Sequence, residues 1–165
     1  MKNVILGFVM ILSLTTAAQM NNQRLGELLE AQVDSINGGS GRWQLFLQEL
    51  PMVVLTDETN DRMRIVAPIT EAARLDEELL LDCLTANFHS ALDVKYAISD
   101  GILWSVYIHP LSPLTEMEIE SAVKQVHSAA ITFGTTFSST PLLFGGNRAA
   151  EPVPAKKDSI IFKKT

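Results

Sequence analysis

The spacing of apolar residues switches repeatedly along this chain between the two periods of regular structure. In "NNQRLGELLEAQVDSINGG", Leu25, Leu28, Leu29, Val33 and Ile36 recur at near-helical intervals, Asn22 can cap the start and Asn37-Gly38-Gly39 can end it, which predicts a first helix. "RWQLFLQEL" then alternates, with Trp43, Leu45 and Leu47 on one side and Arg42, Gln44, Phe46 and Gln48 on the other. "PMVVLTDETNDRMRIVAP" supplies two more apolar runs around the polar turn Asp57 to Asp61, so these segments predict a three-stranded antiparallel meander. The helical period returns in "LDEELLLDCLTANFHSAL". There Asp76, Glu77 and Glu78 suit the positive end of the helix, Leu80, Leu84 and Phe88 line one side, and Leu79 with Cys83 thickens it. "DVKYAI" and "ILWSVYIHP" alternate around Ser99-Asp100-Gly101 and predict a hairpin.

A third helix opens on "LTEMEI", where Thr115 and Glu118 have capping-box spacing and Leu114 and Ile119 occupy the staple positions. Its stripe is Ile119, Val123, Val126, Ala130 and Phe133, with Gly134 beyond its end. The predicted order is α-β-β-β-α-β-β-α, an α+β fold in which helices pack an antiparallel sheet.

The amino terminus changes what counts as the folded protein. "MKNVILGFVMILSLTTAAQM" has a charge at Lys2, an apolar run from Val4 to Leu14 and small residues at Thr16-Ala17-Ala18, the layout of a secretory signal peptide cleaved after Ala18. The expected product is periplasmic or secreted and has no integral membrane span. Residues 19–146 then make one domain. They carry seven Lys or Arg against seventeen Asp or Glu, a balance of minus ten, whereas residues 147–165 have five against two. The acidic body argues against nucleic acid as a partner, since phosphate binding needs clustered cations. The tail, with "EPVPA" near its start, reads as a flexible basic linker whose apolar knot is Ile160-Ile161-Phe162.

Candidate chemistry is sparse. Cys83, the single cysteine, can form no internal disulfide and reads as a small core residue. His89, His109 and His127 fall on separate elements without metal-ligand spacing, so neither a metal nor another cofactor is expected. Cys83 and His89 are six residues apart on different helix faces and cannot act as nucleophile and base. Asp57 and Asp61 read as solvated turn carboxylates. The expectation is therefore a non-enzymatic protein.

With the elements in place, "LTANFHSALDVKYAISDGILWSVYIHPLSPLTEMEIESAVKQV" resembles the helix, hairpin and final helix of the type III secretion chaperone-like fold family, which includes bacterial secretion chaperones and sensory-regulator-like relatives. The "ANF" helix end and the "PLSPLTE" helix entry carry most of the likeness, and "TFGTTFSSTPLLFGG" is similar to a segment that closes some bacterial members. The resemblance spans roughly residues 22 to 146 and concerns structural motifs rather than an active site. It implies a homodimer that holds a protein or peptide partner on exposed apolar surface without hydrolysing anything. Secretion chaperones work in the cytoplasm, so an export signal points to an envelope protein that reuses the fold as a chaperone-like adaptor. The alternative is a self-assembling structural or sensory domain with no unfolded client.

Two surfaces follow from the pattern. Helix two is apolar over more than one side, which marks Leu80, Leu81, Leu84 and Phe88 as a dimer interface. In the sheet, Trp43, Leu45, Met63, Ile65, Val94, Tyr96, Trp104 and Val106 are expected to face the helices. Arg42, Gln44, Phe46, Arg62, Arg64, Lys95, Ser105 and Tyr107 then turn outward. Arg42, Phe46, Arg62, Arg64, Lys95 and Tyr107 are the expected partner-binding residues.

Overall fold

The computed structural model describes residues 19–142. The expected signal segment, residues 1–18, and the basic tail, residues 147–165, lie outside the described residues.

The first helix, α1 (Asn22–Glu30), starts where the Asn21 side chain accepts from the Arg24 N–H at 2.9 Å and buries Leu25, Leu28 and Leu29. It stops well short of the glycines that were expected to end it. Ser35–Gly39 is instead a strand, β1, paired antiparallel with β2 (Arg42–Leu47). Val33 and Ile36 still pack against the core, so their spacing reported burial correctly but mistook the element. The reason lies in the backbone at Gly38, which has φ +102°. A Cβ there would lie 2.4 Å from the Arg42 carbonyl oxygen, so the strand closes against its partner only with glycine.

The remaining elements match expectation. β3 (Leu50–Asp57), β4 (Arg62–Glu71), α2 (Glu77–His89), β5 (Lys95–Ser99), β6 (Ile102–His109) and α3 (Glu116–Ile131) follow in order. The sheet is six-stranded and antiparallel, in the order β1-β2-β3-β4-β6-β5. α3 crosses β4 and β6, α1 packs on α3 and β1, and α2 sits beside β5. Leu45, Met52, Val54, Met63, Ile65 and Leu103 meet Leu25, Leu29, Ile119, Val123 and Val126 in one buried core. Each such side chain contributes about 1.5–3 kcal/mol by leaving water.

Local polar groups fix the ends of these elements. The Thr115–Glu118 capping box is complete, and both staple residues, Leu114 and Ile119, are buried. Asp57 accepts from the Asn60 N–H at 2.9 Å, and Asp61 from the Ser112 N–H at 2.6 Å and its hydroxyl at 2.9 Å. The two turn carboxylates are thus tied to backbone rather than merely solvated. These hydrogen bonds hold both carboxyls below the usual range, the Asn60 side chain contributing most to Asp57 and the Ser112 backbone most to Asp61. Beyond α3, Phe133 and Phe137 close on Tyr96, whose hydroxyl donates to the Ala129 carbonyl at 2.8 Å.

Candidate functional site

Alternation turns one face of the sheet toward the helices and leaves the other to solvent. Across that outer face, Arg42, Leu55, Arg64 and Ile108 stand side by side on β2, β3, β4 and β6. Gln44, Val53, Val66, Val106 and Lys95 form the next row, and Pro68, Trp104 and Ala97 the one beyond it. Phe46, opposite Pro51, completes the patch. Phe46, Leu55 and Ile108 are 46%, 36% and 56% exposed, while Val66, Val106 and Trp104 are half-buried by their neighbours in the sheet.

Four cations border this apolar surface. Among the described residues none of Arg42, Arg62, Arg64 and Lys95 is in an ion pair. The Arg62 guanidinium donates to the Asp61 carbonyl at 3.1 Å, and the Lys95 ammonium donates to the Leu92 carbonyl. The structure therefore brings Arg42, Phe46, Arg62, Arg64 and Lys95 onto one face, as expected.

Tyr107 requires correction. β6 has the opposite phase to the one predicted: Leu103, Ser105 and Tyr107 are buried toward the helices, and Trp104 and Val106 face outward. Ser105 is tolerated inside because its hydroxyl donates to the Val126 carbonyl on α3 at 2.9 Å, and the Tyr107 ring stacks on His109. Trp104, whose indole N–H donates to the Ser99 carbonyl at 3.2 Å, takes the outward place assigned to Tyr107. The signal that identifies this phase is the hairpin turn. A two-residue loop at Asp100-Gly101 sets Tyr96 opposite Ser105, so an inward Tyr96 requires an inward Ser105 and Tyr107. Leu55, Val53 and Ile108 also escaped the reading as surface residues, because β3 and β6 are apolar on both faces.

α2 offers a second apolar surface. Only Cys83 and Ala86 are buried on it, while Leu80, Leu81, Leu84 and Phe88 are 36%, 56%, 65% and 72% exposed. Burial, and secondarily Asp82, pushes the Cys83 thiol up to about 11, which makes it an inert core residue rather than a nucleophile. The three histidines fall at the end of α2, the end of β6 and the C-terminal third of α3. Among the described residues no three His, Cys, Asp or Glu side chains come together as a metal site, and no helix is long and apolar enough to cross a membrane.

Neither the protein-family models nor the curated proteins include a match to this sequence. A solved structure does match: a chain in the crystal structure of the ExsC-ExsE complex superposes with a TM-score of 0.51 at 15% identity, covering 66% of this chain and 90% of that one. The likeness is one of fold. This α+β arrangement, a six-stranded antiparallel sheet with three helices, is similar to a secretion chaperone fold, as the sequence resemblance implied.

Proposed function

We propose that this chain is an exported, non-enzymatic adaptor that binds a protein or peptide through the outer face of its sheet and pairs with a second copy through α2. The observation that carries this reading is the outer face itself, where aromatic and branched apolar side chains lie in rows between four cations that form no ion pair among the described residues. On a body with a balance of minus ten, that local reversal of sign steers an acidic, amphipathic polypeptide toward a surface with apolar area to bury. The signal-like sequence of residues 1–18 is what supports a periplasmic or secreted location.

The chemistry of α2 suits a second copy. An antiparallel pair about a two-fold axis buries Leu80, Leu81, Leu84 and Phe88 against their equivalents. It also sets the acidic first turn, Glu77 and Glu78, beside the partner helix's His89 end, where negative charge meets a cation-favouring site only if the helices run in opposite directions. This same stripe is what favours the alternative reading, a self-assembling domain without a client. Competition binding distinguishes the two. The adaptor captures unfolded exported polypeptide saturably and is displaced by an acidic amphipathic peptide, whereas a purely self-assembling domain remains dimeric by light scattering and captures neither.

A further inference from the structure

On the helix side of the sheet, a cleft of about 380 Å³ lies where the end of α1, the β2–β3 turn and α3 meet. Gln32 follows α1, Leu47 and Gln48 lead into the turn, and α3 supplies Val123 and His127. Asp34, between α1 and β1, fixes the turn in place by accepting from the Gln48 N–H at 2.6 Å.

Two buried polar atoms of the residues lining this cleft have no hydrogen-bond partner among the described residues: His127 Nε2 and Gln32 Oε1. They belong to different elements and do not bond each other. His127 is only 8% exposed. Buried polar atoms are nearly always paired, and leaving one unpaired costs stability that an apolar residue of similar size would not cost. Two such atoms in one cleft are therefore unexplained by packing and point to a ligand that completes both.

Their chemistry restricts that ligand. The charged side chains lining the cleft neutralise each other, because Lys124 and Glu120 form an i,i+4 ion pair. Burial lowers the pKa of His127, although Asp34 pulls the other way, so the ring is neutral at physiological pH. A charged ligand would lose its water here without gaining a counter-ion. A neutral imidazole has one donor and one acceptor nitrogen, and a carboxamide has a donor and an acceptor that exchange places when it turns over. The complement of this pair is a group with its own donor and acceptor on separate atoms, which can reach both elements at once. Leu47 and Val123 supply apolar wall for its carbon body.

We propose that this cleft binds a neutral amide, either the carboxamide of an Asn or Gln side chain in a bound polypeptide or a small free amide. Its N–H donates to Gln32 Oε1 and its carbonyl accepts from His127 Nε2–H. The site lies across the sheet from the outer face, so its test is separate from capture there.

The test titrates the full mature chain, labelled with ¹⁵N, at about pH 7.5, a unit above the ordinary histidine value. The probes are isobutyramide and its analogues isobutyrate, isobutylammonium and isobutanol. Isobutyramide should shift the His127 Nε2 and Gln32 side-chain resonances saturably, and the other three should bind at least tenfold more weakly. Capped peptides with Gln or Glu among glycines separate the sources. A Gln peptide that binds more tightly than isobutyramide identifies a polypeptide side chain, one that binds more weakly identifies a free amide, and a Glu peptide equal to the Gln peptide overturns the proposal. His127→Leu and Gln32→Met should each weaken isobutyramide at least tenfold. Their urea midpoints should stay level or rise, because each removes an unpartnered polar atom. Equal affinity for the four probes, undiminished binding by the folded variants, or His127 and Gln32 resonances indifferent to isobutyramide, as in a site that holds only water, would each overturn the proposal.

Discussion

Putting a carboxylate at Ser105 and, separately, at its neighbour Val106 tests the phase of β6, on which the outer face depends. Ser105 is fully buried, and its hydroxyl spans from β6 to the Val126 carbonyl of α3. Ser105→Ala removes that bond. The Val126 carbonyl keeps its place in the helix ladder, so the cost is the net value of one hydrogen bond, about 1 kcal/mol. Ser105→Asp adds an ion at a fully buried position, and the effective penalty for a buried charge is several kcal/mol. Against a typical total stability of about 5–15 kcal/mol, that variant should be largely unfolded.

Val106→Asp, one residue along, gives up about 1 kcal/mol from a half-buried valine and about 1 kcal/mol of strand preference. Urea unfolding followed by circular dichroism reads the difference. With a slope near 2 kcal/mol/M, S105A should lower the midpoint by about 0.5 M and V106D by about 1 M, while S105D should show no folded baseline. A stable S105D beside an unfolded V106D would refute the assigned phase and with it the composition of the outer face.

Other expectations follow from single groups. His127 is buried, which lowers its pKa below 6.5 against the opposing charge of Asp34, so the unfolded chain takes up the proton more readily. Its contribution to stability is full above about pH 6.5 and is lost as pH falls through the lower folded value, so His127→Gln should flatten the midpoint-versus-pH curve in that window. Cys83, with its thiol raised from 9.0 to about 11, should alkylate about a hundredfold more slowly in the native protein at pH 8 than in urea, apart from any further protection by burial. Thr115→Ala opens the capping box and should cost about 1 kcal/mol in the same urea assay, an effect that Thr115→Ser should largely spare.

The legible parts of this fold are those where one physical signal acts alone. Residues 42–45 of β2 and 62–65 of β4 alternate strictly between polar and apolar, so their alternation alone identified Trp43, Leu45, Met63 and Ile65 as core and Arg42, Arg62 and Arg64 as surface. Thr115 and Glu118 identified the start of α3 because capping-box spacing has few other uses. Where two signals competed, the weaker one was structural. Leu25 to Ile36 kept a helical rhythm across a helix and a strand, because the burial of Ile36 on β1 coincides with the next helical position.

β6 is apolar on both faces, and side-chain hydrophobicity favoured Trp104 and Val106 as core over Ser105. The hairpin register carried the answer, because the fixed length of the turn constrains both strands at once. The outer face was therefore half legible. Its cations and Phe46 were visible from the alternation of three strands, and the rest of its apolar rows was not, because it draws on β3, β6 and the second half of β4, which are apolar on both sides.

Binding by the outer face can be read directly from Trp104, which lies on it, while Trp43 is buried on the opposite face. Titrating the mature protein with an acidic amphipathic peptide should produce a saturable change in Trp104 fluorescence that Trp104→Phe removes. The combined variant F46S/R62E/R64E, checked for folding by circular dichroism, should lose capture of the peptide at least tenfold. Undiminished capture by that folded variant would contradict the assignment of this face as the binding surface.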